Sequence, residues 1–124
     1  MIREIEKPNI KFNFGIYNNS KFYYDKENNE YFIKYKDSIV YFNLNGFVHR
    51  VGKPARLNEE YKIYNYLENG ILTRNDGPAA SCCTEKHQGY YLNNNYYNLN
   101  NWSKETNHLI CKFCNNFCKQ GCFL

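Results

Sequence analysis

The chain has 124 residues and a formal net charge of +4, and Asn, Tyr, Lys, Ile and Phe supply 64 of the 124 positions. That length is the size of one domain and excludes a multidomain enzyme. Ala, the best helix former, occurs only at positions 55, 79 and 80 while aromatic residues make up 19%, so the balance favours β-structure over a helical bundle.

The sixteen Lys and Arg are spread along the chain rather than gathered in a patch, which argues against a nucleic-acid partner. The densest basic stretch, His49 and Arg50 followed by Lys53 to Arg56, is interrupted by Val51, Gly52, Pro54 and Ala55. No apolar run approaches the roughly 18 residues of a transmembrane segment, and Met1 to Lys7 lacks the apolar core of a signal peptide. The expectation is an intracellular protein. In a reducing compartment its six cysteines are read as thiols, metal ligands or modification sites before disulfides.

In chain order, short aromatic runs alternate with polar breaks. Lys11 to Tyr17, Lys21 to Tyr24, Tyr31 to Tyr35 and Ser38 to Phe42 are each too short and too rich in aromatic or β-branched residues for an amphipathic helix. The two-residue link Lys36-Asp37 predicts a tight hairpin. Asn45-Gly46, between Tyr41-Phe42 and Phe47-Val48, predicts another with a type I′ turn, since both residues tolerate positive φ. Tyr and Phe at alternate positions are expected to cover one sheet face, with Lys, Asn and Glu on the other.

Shifting the chain by 24 residues superposes Asn45-Gly46 on Asn69-Gly70, Arg50 on Arg74, Pro54-Ala55 on Pro78-Ala79, and Phe42 on Tyr66. A decayed third copy spans 88–99, where Tyr91 to Tyr97 carries Asn95 in place of Gly after a one-residue slip. A fixed period of this kind marks units that bury their apolar faces by stacking. The expected fold is therefore mainly β, an antiparallel meander of stacked β-hairpin repeats over residues 1–102. The clearest repeats lie at 40–79, and a Cys-rich tail at 103–124 forms a short helix or loop.

The segments Tyr41 to Ala55 and Tyr66 to Ala79, with their aromatic pair, Asn-Gly, His-Arg or Thr-Arg, and Gly-Pro-Ala or Lys-Pro-Ala, resemble a short repeat of tailed phages and giant viruses. That repeat is in turn similar to MORN-type hairpin repeats. The resemblance covers about residues 40 to 99 and implies a β-repeat scaffold of viral origin with a binding or assembly role, placed in the host cytoplasm or the virion. It carries no catalytic residues.

His49, Arg50 and Arg74 are the candidate binding residues. A guanidinium beside an imidazole suits phosphate or carboxylate recognition. The competing reading is structural and is favoured by the recurrence of Arg without His. Cys111, Cys114, Cys118 and Cys122 are candidate zinc ligands, with Cys82, Cys83 and His87 as distant partners, although the three-residue gaps do not repeat a zinc knuckle. The same spacing also fits one stripe of a helix capped by Ser103, in which the thiols are buried or acylated. No cofactor is otherwise implied. Of the three histidines, at 49, 87 and 108, His87 could act as base to Cys82 or Cys83, but nothing orients such a pair and neither a nucleophile elbow nor a phosphate loop accompanies it, so the chain is read as a non-enzyme. The functional expectation is a protein-interaction or assembly module with a protein partner. The alternative is a small zinc-stabilised binding protein that uses the C-terminal cysteines, with nucleic acid as one candidate contact. An exposed hairpin edge leaves a homodimer open.

Overall fold

The computed structural model describes residues 1–82, 87–107, 110–111 and 116–117, the last two pairs by backbone alone. The aromatic runs become strands where their side chains find cross-strand partners. Ile2–Ile5 (β1), Lys21–Asp25 (β2), Glu30–Tyr35 (β3) and Ser38–Phe42 (β4) pair antiparallel in sequence order. The link Lys36-Asp37 makes the expected tight hairpin, with Tyr35 facing Ser38 and Lys36 at φ 53°. β1 is a strand that the sequence pattern does not announce, and it forms one edge of the sheet. The Lys26 N–H donates to the Met1 carbonyl, so Met1, Arg3 and Ile5 bond to β2 while Ile2 and Glu4 turn their backbone groups outward.

Lys11 to Tyr17 alternates as the sequence suggests but joins no ladder. It is an arm whose Ile10, Phe12, Phe14 and Ile16 pack onto the buried cluster Phe22, Ile33 and Phe42. The Phe12 and Phe42 rings meet edge to face at 5.3 Å. Aromatic residues do not keep to one face, contrary to the expectation from alternation. Tyr23, Phe32 and Tyr41 line one side in register, and Tyr24, Tyr31 and Phe42 line the other. Adjacent tyrosines and phenylalanines in a run such as Phe22-Tyr23-Tyr24 must point to opposite faces, and the arm makes the second face a core.

The chain continues through Arg56–Asn58 (β5), Ile63–Asn65 (β6), Leu67–Glu68 (β7), Ile71–Leu72 (β8), Ala80–Cys82 (β9), His87–Leu92 (β10) and Asn95–Tyr97 (β11). Nine strands form one antiparallel sheet in the order β1-β2-β3-β4-β5-β6-β9-β10-β11, and β7 with β8 makes its own small ladder. A helix, Leu99–Thr106 (α1), and the short pair Ile110–Cys111 (β12) and Asn116–Phe117 (β13) follow. The mainly β meander with one short C-terminal helix is the expected fold.

Backbone hydrogen bonds fix how the repeats correspond. Tyr41 N–H donates to the Ala55 carbonyl and Tyr66 N–H to that of Ala79, both at 2.7 Å, while the Ala55 and Ala79 N–H groups donate to Asn65 and Gly89 at 2.8 Å. Tyr41 therefore matches Tyr66 and Tyr90, and Phe42 matches Leu67 rather than Tyr66. The offset is 25 before the first turn and 24 after it, because the first hairpin holds one extra residue. Phe42 faces Val48 across a longer loop, whereas Leu67 faces Leu72 and Tyr91 faces Tyr96. The one-residue slip thus belongs to the first copy, not the third. In the second and third copies Asn69-Gly70 and Asn93-Asn94 sit at φ 51°, 75° and 51°, 68°, the double left-handed form of a type I′ turn. In the first copy only Gly46 is left-handed, at φ 88°, and its N–H donates to Asn43 while Asn43 N–H donates to Phe47. This is a three-residue loop ending in a left-handed glycine, not the type I′ turn that Asn-Gly alone suggests.

The hairpins stack edge on edge. Gly70 N–H donates to Val48 and Arg50 N–H to Leu67, and one repeat later Asn94 N–H donates to Leu72 and Arg74 N–H to Tyr91. Both ends of the stack are covered. On the first hairpin lies the arm, whose Asn13 N–H donates to the Gly46 carbonyl at 2.8 Å. At the third copy, α1 takes over the chain where the next arginine loop would begin. Asn98, at the position of Arg74, caps the helix by accepting from Asn101 N–H, and Trp102, at the position of Pro78, is fully buried. A Cβ on Gly46 would run into the Lys11 carbonyl oxygen, whereas one on Gly52, also left-handed at φ 76°, would meet open space. Gly46→Ala should therefore cost at least about 2 kcal/mol in a urea titration, and Gly52→Ala only about 1 kcal/mol.

Asp25 ends β2 and is 9% exposed, and its carboxylate accepts from Asn28 Nδ2 at 2.8 Å and from the Glu27 and Asn28 N–H groups. The Asn28 side-chain bond does most to hold this carboxyl below the ordinary aspartate value, against the opposing pull of its burial. Because the folded value is the lower one, this turn stabilises fully above the unfolded value of about 3.9 and loses its contribution as pH falls through the folded value. Melting temperatures below about pH 4 should fall less steeply for Asp25→Asn than for the parent chain.

Candidate functional site

Each Pro-Ala junction closes a loop around one arginine. Arg50 lies over the Tyr41 ring at 3.7 Å, donates from Nη1 to the Pro54 carbonyl at 3.3 Å, and pairs through Nε with Glu30 at 2.9 Å. Arg74 lies over Tyr66 at 3.9 Å, donates from Nη1 to Pro78 at 3.0 Å, and pairs through Nε with Asp76 at 2.7 Å. Both arginine side chains are largely buried. The carboxylate changes source because of the loop sequence. Asp76 is local, but its counterpart in the first copy is Gly52, and Glu30 on β3 fills the role. Gly77 lets the second guanidinium lie flat, since a Cβ there would come within 2.7 Å of Arg74 Cζ. Ala55 and Ala79 are fully buried at the junctions, which leaves no room for a larger side chain.

In the third copy the platform tyrosine persists while its cation is replaced. Tyr90 packs against Trp102 at 4.8 Å, and the Trp102 indole N–H donates to the Arg74 carbonyl at 3.1 Å. Burial pushes the Tyr41 and Tyr90 hydroxyls above their ordinary value, with the nearby Arg50 and Arg74 charges acting in the opposite sense. Both phenols therefore stay neutral at physiological pH.

His49 is engaged as an acceptor. Its Nδ1 receives the Asn69 N–H at 3.0 Å, which leaves its ring proton on Nε2 and ties the first return strand to the second hairpin. Asn43 adds a side-chain bond to Asn69 Oδ1 at 2.7 Å. His49 and Arg50 border a cleft of about 610 Å³ with Glu30, Tyr31 and Leu44, and Arg50 also borders a second cleft of about 340 Å³ with Tyr66, Arg74 and Asp76. The three candidate binding residues are thus brought together along two adjoining clefts. The tyrosine platforms and carboxylates that hold them are hidden in the sequence, because Tyr41 and Tyr66 align only when an inserted residue is allowed.

The cysteine readings fare differently. Cys111 lies on β12, opposite Asn116, while Cys83, Cys114, Cys118 and Cys122 lie outside the described residues. No cluster of three or more His, Cys, Asp or Glu side chains arranged to hold a metal occurs among the described residues. The single helical stripe is corrected at its start. The helix begins at Asn98 rather than Ser103, and Asn107, at φ 62° with its N–H on the Ser103 carbonyl, ends it before the first of these cysteines. The helix also crosses the boundary placed between 102 and 103, and Trp102 and Ser103 are its buried residues. Cys82 faces His87 directly across β9 and β10.

No protein-family model, curated protein or solved structure matches the chain. The geometry itself assigns the arginines a packing role. Arg50→Ala and Arg74→Ala should each lower stability by about 2 to 3 kcal/mol in denaturant, since each removes a guanidinium bond to a carbonyl and to a carboxylate and uncovers a ring.

Proposed function

We propose that the chain is a non-enzymatic protein-interaction or assembly module, a capped stack of the viral hairpin-repeat kind that its sequence resembles. The observation that supports this reading is an exposed apolar ladder carried by the stack itself. Phe47 and Ile71 hold equivalent places beside successive hairpin turns and are 38% and 39% exposed, and Leu44, in the first turn, is 53% exposed. The Phe47 ring leans over Gly70, so the two steps are continuous. Folding leaves these side chains in water although the arm and α1 cover both ends of the stack. An apolar surface repeated with the fold is what a partner protein would cover.

The charged residues of the repeat support the same reading. Arg50, Arg74 and His49 hold one unit to the next and shape the clefts, and the flanking apolar groups provide contact area. Affinity capture with the purified chain as bait provides the test. A partner retained by the parent should be lost from the Phe47→Lys, Ile71→Lys double variant while the circular dichroism of the two proteins agrees. Equal capture by both would remove the ladder from the interface.

A further inference from the structure

Among the described residues, nothing but the N-terminal arm covers one face of the sheet. Val40, Arg56, Asn65, Ala80 and Gly89 are successive register partners across β4, β5, β6, β9 and β10, so their side positions share that face. Two clefts open on it. One, of about 570 Å³, lies between the arm and the sheet and reaches Val40 and Arg56. The other, of about 360 Å³, reaches Asn65, Ala80 and Gly89. Because Arg56 borders the first and its register partner Asn65 borders the second, the two clefts lie end to end in line across the strands, and we treat them as one shallow groove. Four strand spacings make its floor about 19 Å long, the span of five or six extended residues.

The groove has a defined chemistry. At one end Tyr17 and Tyr35 stack at 4.4 Å with Tyr17 66% exposed, and at the other Tyr91 and Tyr96 meet edge to face at 5.6 Å with Tyr96 66% exposed. The floor between them is low, since Ala80 and Gly89 carry almost no side chain and Tyr91 lies against Gly89. Arg56 stands between the aromatic ends. Unlike Arg50 and Arg74, it has no ion-pair, hydrogen-bond or ring partner among the described residues.

We infer that this groove binds an extended acidic peptide segment of a partner protein, with one carboxylate on Arg56 and an apolar or aromatic side chain at each tyrosine end. Charge decides the class of occupant. A nucleic-acid strand of this length would bring several phosphates, whereas the floor offers one guanidinium flanked by neutral Ser38, Asn65 and Ala80. A single carboxylate between two rings matches it, and bidentate pairing with Arg56 would fix the register. The inference rests on the proposed interaction role but uses a different surface from the Phe47 and Ile71 ladder.

The test is fluorescence anisotropy on the full chain with a labelled, end-blocked hexapeptide that has phenylalanine at both ends and one glutamate among serines. Saturable binding is expected, at least tenfold weaker for Arg56→Glu and for a peptide with lysine in place of glutamate, and within threefold of the parent for Arg56→Lys. Lys53→Glu makes the same charge change outside the groove and should leave binding unchanged. An equal loss in Lys53→Glu and Arg56→Glu, no saturable binding, or tighter binding of six-nucleotide oligothymidylate would each overturn the groove assignment. If the hexapeptide fails while partner capture through Phe47 and Ile71 persists, the groove is wrong and the interaction module stands. If the hexapeptide binds as expected while the ladder variant captures as the parent does, the groove stands and the ladder leaves the interface.

Discussion

The stacking of a guanidinium on a tyrosine, clamped by the carbonyl of a Pro-Ala junction, is the interaction on which the repeat depends. It solves a local problem. The return strand of each hairpin must leave the tip and re-enter the main sheet as the next strand, and the loop that makes this passage has no ladder of its own. Arg50 and Arg74 fill the bend, satisfy the proline carbonyl and cover the aromatic ring beneath. Lysine could place a charge over the ring but could not also reach the carbonyl and a carboxylate through a planar fork. The buried alanine that follows the proline then exchanges two backbone bonds with its neighbours, which sets the next strand in register.

This device also explains how the stack ends. A fourth turn of the pattern would need another arginine at position 98, and Asn98 begins a helix instead. Trp102 then covers the last tyrosine with an indole whose N–H reaches the preceding arginine's carbonyl. At the other end, the arm covers the first hairpin at a glycine that tolerates close backbone approach. A solenoid whose terminal units differ from its interior is stable at finite length.

Much of this was legible in the sequence, and the failures have physical causes. The strands, the meander and the repeat followed from aromatic runs, polar breaks and the recurrence of Asn-Gly, Arg and Pro-Ala. A rigid shift of 24 still mismatched Phe42 with Tyr66, because an extra residue in one turn changes the offset on one side of it only. The Asn-rich third copy kept its turn because asparagine tolerates the left-handed conformation at Asn93 and Asn94. The face alternation failed because residues 10 to 16 form a covering arm rather than a strand, which no period reveals. The binding candidates were recognised by type, but their partners Glu30 and Tyr41 come from other strands. The groove at Arg56 was not visible at all, since it requires register across five strands.

The free edge at β1 has a consequence for how the chain behaves when crowded. Only Ile2 and Glu4 offer outward backbone groups, so a second copy running antiparallel would have to pair these residues with each other or with themselves. Of the three such registers, one sets Arg3 against Arg3 of the other copy, one sets Glu4 against Glu4, and one sets Ile2 against Ile2. The first two place like charges directly opposite each other. Charge therefore disfavours two of the three ways in which this edge could pair with its own image, while a foreign strand of different charge pattern meets no such veto.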